Sequence, residues 1–512
     1  MADKDRYRMG IEVSAKVKSS ATTHMPVTDA STPFCIAVLG DFSGRENNRL
    51  YEPETIASRR LITVDRDNFE EVMAAFDIRL NIGLQENDGV TIKLNELDDF
   101  HPDTIYENLE TFSKLRSLRR RLKNNSSFAD AAAEMQGWLP AATHVETVSK
   151  ETASAEVTNN TPTDNLLDSI LSSQQTVQAE VATASAIDKL IKEIVAPYVE
   201  PAADPRQDEM IASLDRATEK HMRDLLHHGD FQAMEAAWQS LYFLIKRLDT
   251  GSKLKIYLLD ISKRELQADL VVDDVATSAV YKLFCDPVKN DTQWSLLLGN
   301  YSFSDTVDDA LSLVGIGEIA QKASAPFLAA ASETLAGCQS FAKTPVADDW
   351  NYVLNDGVSQ AWQRVRQSPL AAYLGLAMPR FLLRLPYGRK SKPIEAFAFE
   401  EMPEQHCHAC YLWGNAAFVK AEALARNFTD NGWRMSPCEV HQTDNLPVHY
   451  YEEEGETVNK PVAEILLTES GGKRIADQGL MALWSVKNTD SIRSADYCSL
   501  SAGGEQLKGR WL

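Results

Sequence analysis

The chain is 512 residues long and carries 52 Lys plus Arg against 74 Asp plus Glu, a formal charge of −22 at pH 7. Hydrophobic residues make up 44% and charged residues 25%, the balance of a packed globular protein, and the length allows roughly two to four domains. A surface this acidic repels nucleic-acid phosphates and anionic lipid heads, which excludes broad electrostatic binding to nucleic acid or membrane and favours basic partners.

In chain order, Met1-Ala2-Asp3-Lys4-Asp5-Arg6 has no apolar core behind its charges, so no secretory signal is expected and the setting is read as cytoplasmic. Phe34-Cys35-Ile36-Ala37-Val38-Leu39 is an apolar run of strand length, closed by Gly40-Asp41-Phe42-Ser43-Gly44. A helix is expected to open at Asp67, with Asp67 as cap and Glu70 and Glu71 suiting the dipole of its first turn. Gly89-Val90-Thr91-Ile92-Lys93-Leu94 alternates as a strand. Ile105, Leu109, Phe112, Leu115, Leu118 and Leu122 predict a helix over 104–122, ending in the basic run 116–123.

From 124 to 163 the chain turns rich in Ser, Thr, Ala and Asn, and 147–164 holds few bulky residues. Such a stretch buries too little apolar area to offset the entropy of ordering, so a flexible linker is expected. The resulting divisions are 1–124, a linker at 125–164, a helical segment at 165–205 and a block at 206–512. In the helical segment Leu166, Leu167, Ile170 and Leu171 form one stripe, and Ile187, Leu190, Ile191 and Ile194 another. Amphipathic helices are predicted over 208–248, then a strand at Leu254-Lys255-Ile256-Tyr257-Leu258-Leu259-Asp260-Ile261. A helix over 308–335, broken or kinked at Pro326, follows. Beyond it come strand-like Phe397-Ala398-Phe399, a helix over 415–428 and a strand-like stretch at 462–467. The most apolar stretch, 311–337, contains Glu318, Lys322 and Glu333, which favours a buried helix over a membrane span. The fold class is α+β, with mixed α and β elements.

Candidate chemistry is sparse. Gly40-Asp41-Phe42-Ser43-Gly44 follows a strand as a phosphate loop does, but it lacks the Lys of GxxxxGK[ST] and is not GxSxG, so a structural turn is expected. Gly315-Ile316-Gly317-Glu318-Ile319-Ala320 matches a loose GxGxxA without the acidic partner of a dinucleotide site, which favours core helix. Seven scattered cysteines argue against a disulfide scaffold. Cys407-x-x-Cys410 and Cys438-x-x-His441 have the two-plus-two spacing of a tetrahedral zinc site, with His406 and His408 as further donors; a zinc-dependent enzyme is therefore one alternative, against ordinary thiols. His227-His228 is read within a helix, where adjacent side chains diverge by about 100° and cannot easily share a metal. Glu400-Glu401 and Glu452-Glu453-Glu454 are read as a solvated acidic face. No catalytic constellation and no cofactor site emerges, which shifts weight to a structural or assembly role.

Two sets of motifs resemble the contractile sheath of the bacterial type VI secretion system. Residues 34–44, followed by Ile62-Thr63-Val64-Asp65-Arg66-Asp67-Asn68-Phe69-Glu70-Glu71-Val72-Met73, resemble the small subunit (TssB/VipA family). Three further strings resemble the large subunit (TssC/VipB family): Leu226-His227-His228-Gly229-Asp230-Phe231-Gln232-Ala233-Met234-Glu235-Ala236-Ala237-Trp238, then Met378-Pro379-Arg380-Phe381-Leu382-Leu383-Arg384-Leu385-Pro386-Tyr387-Gly388, then Tyr411-Leu412-Trp413-Gly414-Asn415-Ala416-Ala417-Phe418.

The resemblance implies a non-enzymatic protomer in which two intertwined modules, usually separate chains, are joined by the linker. It also implies polymerisation with itself or other sheath subunits around an inner tube, contraction, and contact with baseplate components. An AAA+ recycling unfoldase would dock on the helix bearing Leu166, Leu167, Ile170 and Leu171, against the bland reading that this stripe packs internally. Two departures stand out. The family's Trp-Arg-Gly-Leu is Trp238-Gln239-Ser240-Leu241, and the chain ends where large subunits are expected to continue into a C-terminal region that supplies intersubunit strands. The second departure raises the alternative of a sheath-like assembly, capping or regulatory factor that does not polymerise alone. Stacked acidic protomers are expected to repel unless the basic run 116–123 meets acidic stretches such as 452–456.

Overall fold

The computed structural model describes residues 29–85, 88–136, 207–288, 292–403, 407–437, 439–453, 455–495 and 497–511, together with Leu190, Ile191, Ile194 and Val195. The first block supplies β1 (Phe34–Gly40), β2 (Ile62–Val64), α1 (Phe69–Ala75), the hairpin β3 (Ile78–Gln85) and β4 (Asp88–Leu94), α2 (Pro102–Asn108), α3 (Glu110–Lys123) and α4 (Phe128–Gln136). The second supplies α5 (Gln207–Leu226), α6 (Gly229–Arg247), β5 (Leu254–Asp260), α7 (Lys263–Leu270), α8 (Ala279–Cys285), β6 (Trp294–Phe303), α9 (Val307–Ala323), β7 (Phe327–Ala331), α10 (Asp356–Gln367) and β8 (Leu374–Met378). Then come β9 (Phe381–Leu382), β10 (Trp413–Gly414), α11 (Ala416–Asn431), β11 (His441–Thr443), β12 (His449–Glu453), β13 (Glu456–Lys460), α12 (Glu469–Asp477), β14 (Leu480–Ser485) and β15 (Ile492–Ser494).

One mixed sheet organises the chain, with strand order β11-β15-β14-β8-β7-β6-β1-β5-β2. β1, from the first block, lies between β5 and β6 of the second and runs parallel to both. β2 closes one edge antiparallel to β5. Every residue of β1 is buried, which is why its sequence reads as a continuous apolar run instead of an alternation. Phe34, Ile36 and Val38 join the core beneath α5, α6 and α11, whereas Cys35, Ala37 and Leu39 join the core beneath α7, α8, α9 and α10. The small and large blocks therefore share one sheet and two cores.

Several expected elements are revised. The capping residue of α1 is Asn68, not Asp67, and the Asn68 side chain accepts the Asp65 amide instead of capping the helix. The helix expected over 104–122 is two, α2 and α3, because Leu109 is extended. The Ala-rich run placed in one helix over 308–335 divides at Pro326: α9 ends at Ala323 and Phe327–Ala331 is β7. Phe397-Ala398-Phe399 and 462–467 are not strands; Phe397 instead stacks on Tyr106 with ring centres 4.4 Å apart. Part of the expected linker folds as α4, where Ala131, Ala132 and Met135 are buried. Among the described residues no helix is long and apolar enough to cross a membrane.

Candidate functional site

The joint between the blocks starts at the ends of β1 and β5, which lie side by side with Gly40 opposite Asp260. Beyond β1 the loop 40–44 offers amides as a phosphate loop would, but those of Phe42 and Ser43 are already taken. The Phe42 and Ser43 amides donate to Asp260 Oδ1 at 2.8 and 3.1 Å, and the Ser43 hydroxyl donates to Oδ2 at 2.7 Å. Asp41 turns back and accepts the Arg45 and Glu46 amides. Gly44 has φ +77°, a conformation glycine adopts without steric cost. Trp238 of α6 donates its indole N–H to the Phe42 carbonyl at 3.0 Å and meets the Phe42, Phe69 and Phe76 rings edge-on. The loop is a structural lock between blocks.

A buried carboxylate completes it. Glu265, at the start of α7, is fully enclosed and binds two arginines of the first block. Arg45 donates to it at 2.8 and 3.0 Å, and Arg59 at 2.9 and 2.7 Å. The Glu52 and Ser262 amides add two more bonds. Burial pushes the Glu265 carboxyl up, but the Arg59 and Arg45 guanidiniums with these amides outweigh it and hold it well below the usual carboxylate range.

A second buried cluster joins two of the strings that carried the resemblance. Arg384 donates from Nε to Glu235 of α6 at 2.6 Å and from Nη1 to Glu401 at 2.9 Å. Glu401 also accepts the Tyr387 amide at 2.7 Å and faces His227 Nε2 at 3.3 Å. Burial raises Glu235; at Glu401 burial also pushes up, but Arg384, His227 and the Tyr387 amide bring the carboxyl down to about 2. Glu401 is thus not on a solvated acidic face, although Glu452 is, paired with Lys390. A third cluster pairs Arg380 with Glu464, which also bonds His408. In the third string Asn415 caps α11 and donates to the Gly299 and Tyr301 carbonyls of β6.

These groups are held in paired, largely buried contacts that fix elements to one another. His227 and His228 lie not within one helix but at the break between α5 and α6, where His228 Nδ1 accepts the Asp230 amide. Among the described residues, Cys407, Cys410 and His441 form no group that could hold a metal. Cys407 and Cys410 neighbour each other, whereas the His441 imidazole on β11 faces charges at Glu439, Asp430, Arg426 and Lys420. Among the described residues no group of three or more His, Cys, Asp or Glu could hold a metal; Cys438 and His406 lie outside the described residues, as do Leu166, Leu167, Ile170 and Leu171. Ser240, at one of the family departures, is buried with its hydroxyl unpaired.

The family model for VipB, described as the EvpB/VC_A0108 tail sheath N-terminal domain, matches residues 208–499. The chain belongs to this tail-sheath family. A second model, described as type VI secretion system VipA, VC_A0107 or Hcp2, matches residues 16–156. The type VI secretion system sheath protein TssC1 of Pseudomonas aeruginosa (strain PAO1) is 32% identical over 293 residues, 55% of this chain and 59% of that protein. Sheath protein TssB1 of the same organism is 26% identical over 105 residues, 19% of this chain and 59% of that protein. The chain thus spans about 59% of the length of each curated relative. It is a type VI sheath protein with fused TssB-like and TssC-like regions.

Proposed function

We propose that the chain is a fused small/large protomer of a type VI contractile sheath, working in the cytoplasm by mechanics and not by chemistry. The observation that carries this is the position of β1. A strand of the small block inserted between β5 and β6 of the large block's sheet makes the two one mechanical body, as a part that transmits force must be. The Glu265 pairs with Arg45 and Arg59 resist shear at the same joint. On this reading such protomers associate with themselves or with other sheath subunits, surround an inner tube, meet a baseplate and rearrange between two lattice packings to drive effector delivery. The divisions at 1–124, 125–164, 165–205 and 206–512 belong to the same proposal. So does an unfoldase-docking role for the stripe Leu166, Leu167, Ile170 and Leu171; Leu167→Asp should abolish co-purification with the AAA+ recycling unfoldase, and unchanged co-purification refutes that role.

Negative-stain electron microscopy of the full chain expressed alone tests the protomer reading. Tubular polymers are expected. Monodisperse particles alone, even at high concentration, would overturn it in favour of an assembly or capping factor.

A further inference from the structure

Cys407 and Cys410 stand at the two ends of one tight turn. The Cys410 amide donates to the Cys407 carbonyl at 3.0 Å, and such a turn keeps its end α-carbons within about 7 Å, close to the spacing a disulfide spans. His408–Cys410 is 3₁₀ in form, a geometry that eclipses side chains three apart and so brings the two cysteine side chains to the same side of the turn. Cys407 is exposed and Cys410 half-buried behind it. The turn is held from outside: His408 Nε2 lies 2.8 Å from Glu464, the Trp413 indole donates to the His408 carbonyl at 2.9 Å, and Gln232 of α6 donates to the Ala409 carbonyl at 3.2 Å. Nothing in the sheath reading uses these two thiols.

We propose that Cys407 and Cys410 form a reversible dithiol–disulfide couple, a modification site for low-molecular-weight disulfides such as oxidised glutathione. Cys407, the accessible sulfur, attacks as a thiolate. The oxidant's S–S bond breaks, a mixed disulfide forms at Cys407, and one glutathione leaves and takes up a proton. Cys410 then gives its proton to solvent, and its sulfur attacks that of Cys407, closing the internal bond and releasing the second glutathione. The protein loses two hydrogens with two electrons, and the oxidant becomes two thiols. Burial pushes the Cys410 thiol up to about 12, so its thiolate is scarce at neutral pH and closure should quicken as the pH rises.

The test incubates the native full chain with oxidised glutathione, blocks remaining thiols with an alkylating agent, and reads intact mass and mapped peptides. The wild type should lose the mass of two hydrogens, with the bond mapped to Cys407–Cys410, formed faster as the pH rises and reversed by dithiothreitol. Cys410→Ser should instead retain one glutathionyl group on Cys407. A wild type that keeps both thiols alkylatable, or that stops at the glutathionyl adduct, would overturn the proposal. The wild-type measurement decides alone should the variant fail to fold.

Discussion

Glu265 bonds two guanidiniums and two amides through two oxygens; its own side chain is enclosed, and those of Arg45 and Arg59 are only 11% and 12% exposed. Removing one partner of a buried ion pair costs about 3–5 kcal/mol, because the remaining charges stay buried without a counter-charge. Glu265→Ala strands Arg59 while Arg45 keeps Glu52 and Asp260, so it should lower stability by about 3 kcal/mol, the lower end of that range, in denaturant unfolding. Glu464 shares the acid limit with Glu401 and Glu265. Burial pushes its carboxyl up, but His408 and Arg380 bring it down to about 2 from an ordinary 4.5. With the native value below the unfolded one, this stabilisation is complete above the unfolded value and drains away as the pH falls from 4.5 towards 2. It amounts to about 3 kcal/mol, and Glu464→Gln should flatten that part of the stability–pH curve. An unchanged slope in the variant would place the acid sensitivity elsewhere.

At the scale of elements, β1 was legible because a strand buried on both faces has to be apolar throughout. α11 was legible from Asn415, whose side chain accepts the Ala417 amide, and from the apolar residues behind it. β7 was not. Phe327-Leu328-Ala329-Ala330-Ala331 is as compatible with a helix as with a strand, and only pairing with β6 and β8 decides. Glu401 was missed for a similar reason. Its counter-charge Arg384 lies 17 residues back and is itself tied to Glu235, 149 residues earlier, and no local pattern marks a carboxylate that tertiary packing will bury. β1 also carries the element-scale prediction. Val38→Asp places an unpaired carboxylate in the core beneath α5, α6 and α11, on the strand that joins β5 to β6, so amide protection in both strands should fall together in hydrogen exchange. Protection retained in β6 would show that the large block holds its sheet without the small one.

Across the whole molecule the −22 charge meets a basic run that is largely used within the chain. Arg119 pairs with Asp215 of α5, Arg121 with Glu134 of α4, and Arg116 lies over the Tyr106 ring. The contact imagined between this run and acidic stretches of a neighbour therefore has few cations to draw on. Repulsion between acidic protomers should be relieved by screening, so light scattering should show assembly at lower protein concentration as salt rises. A threshold that climbs with salt would point to attractive ion pairs between protomers. The shared sheet itself is tested most directly by inserting a protease site between Gln136 and Gln207 and cutting the purified chain. The two fragments should travel together in native size-exclusion chromatography and separate only in denaturant. Fragments that part under native conditions would contradict a sheet built from both blocks.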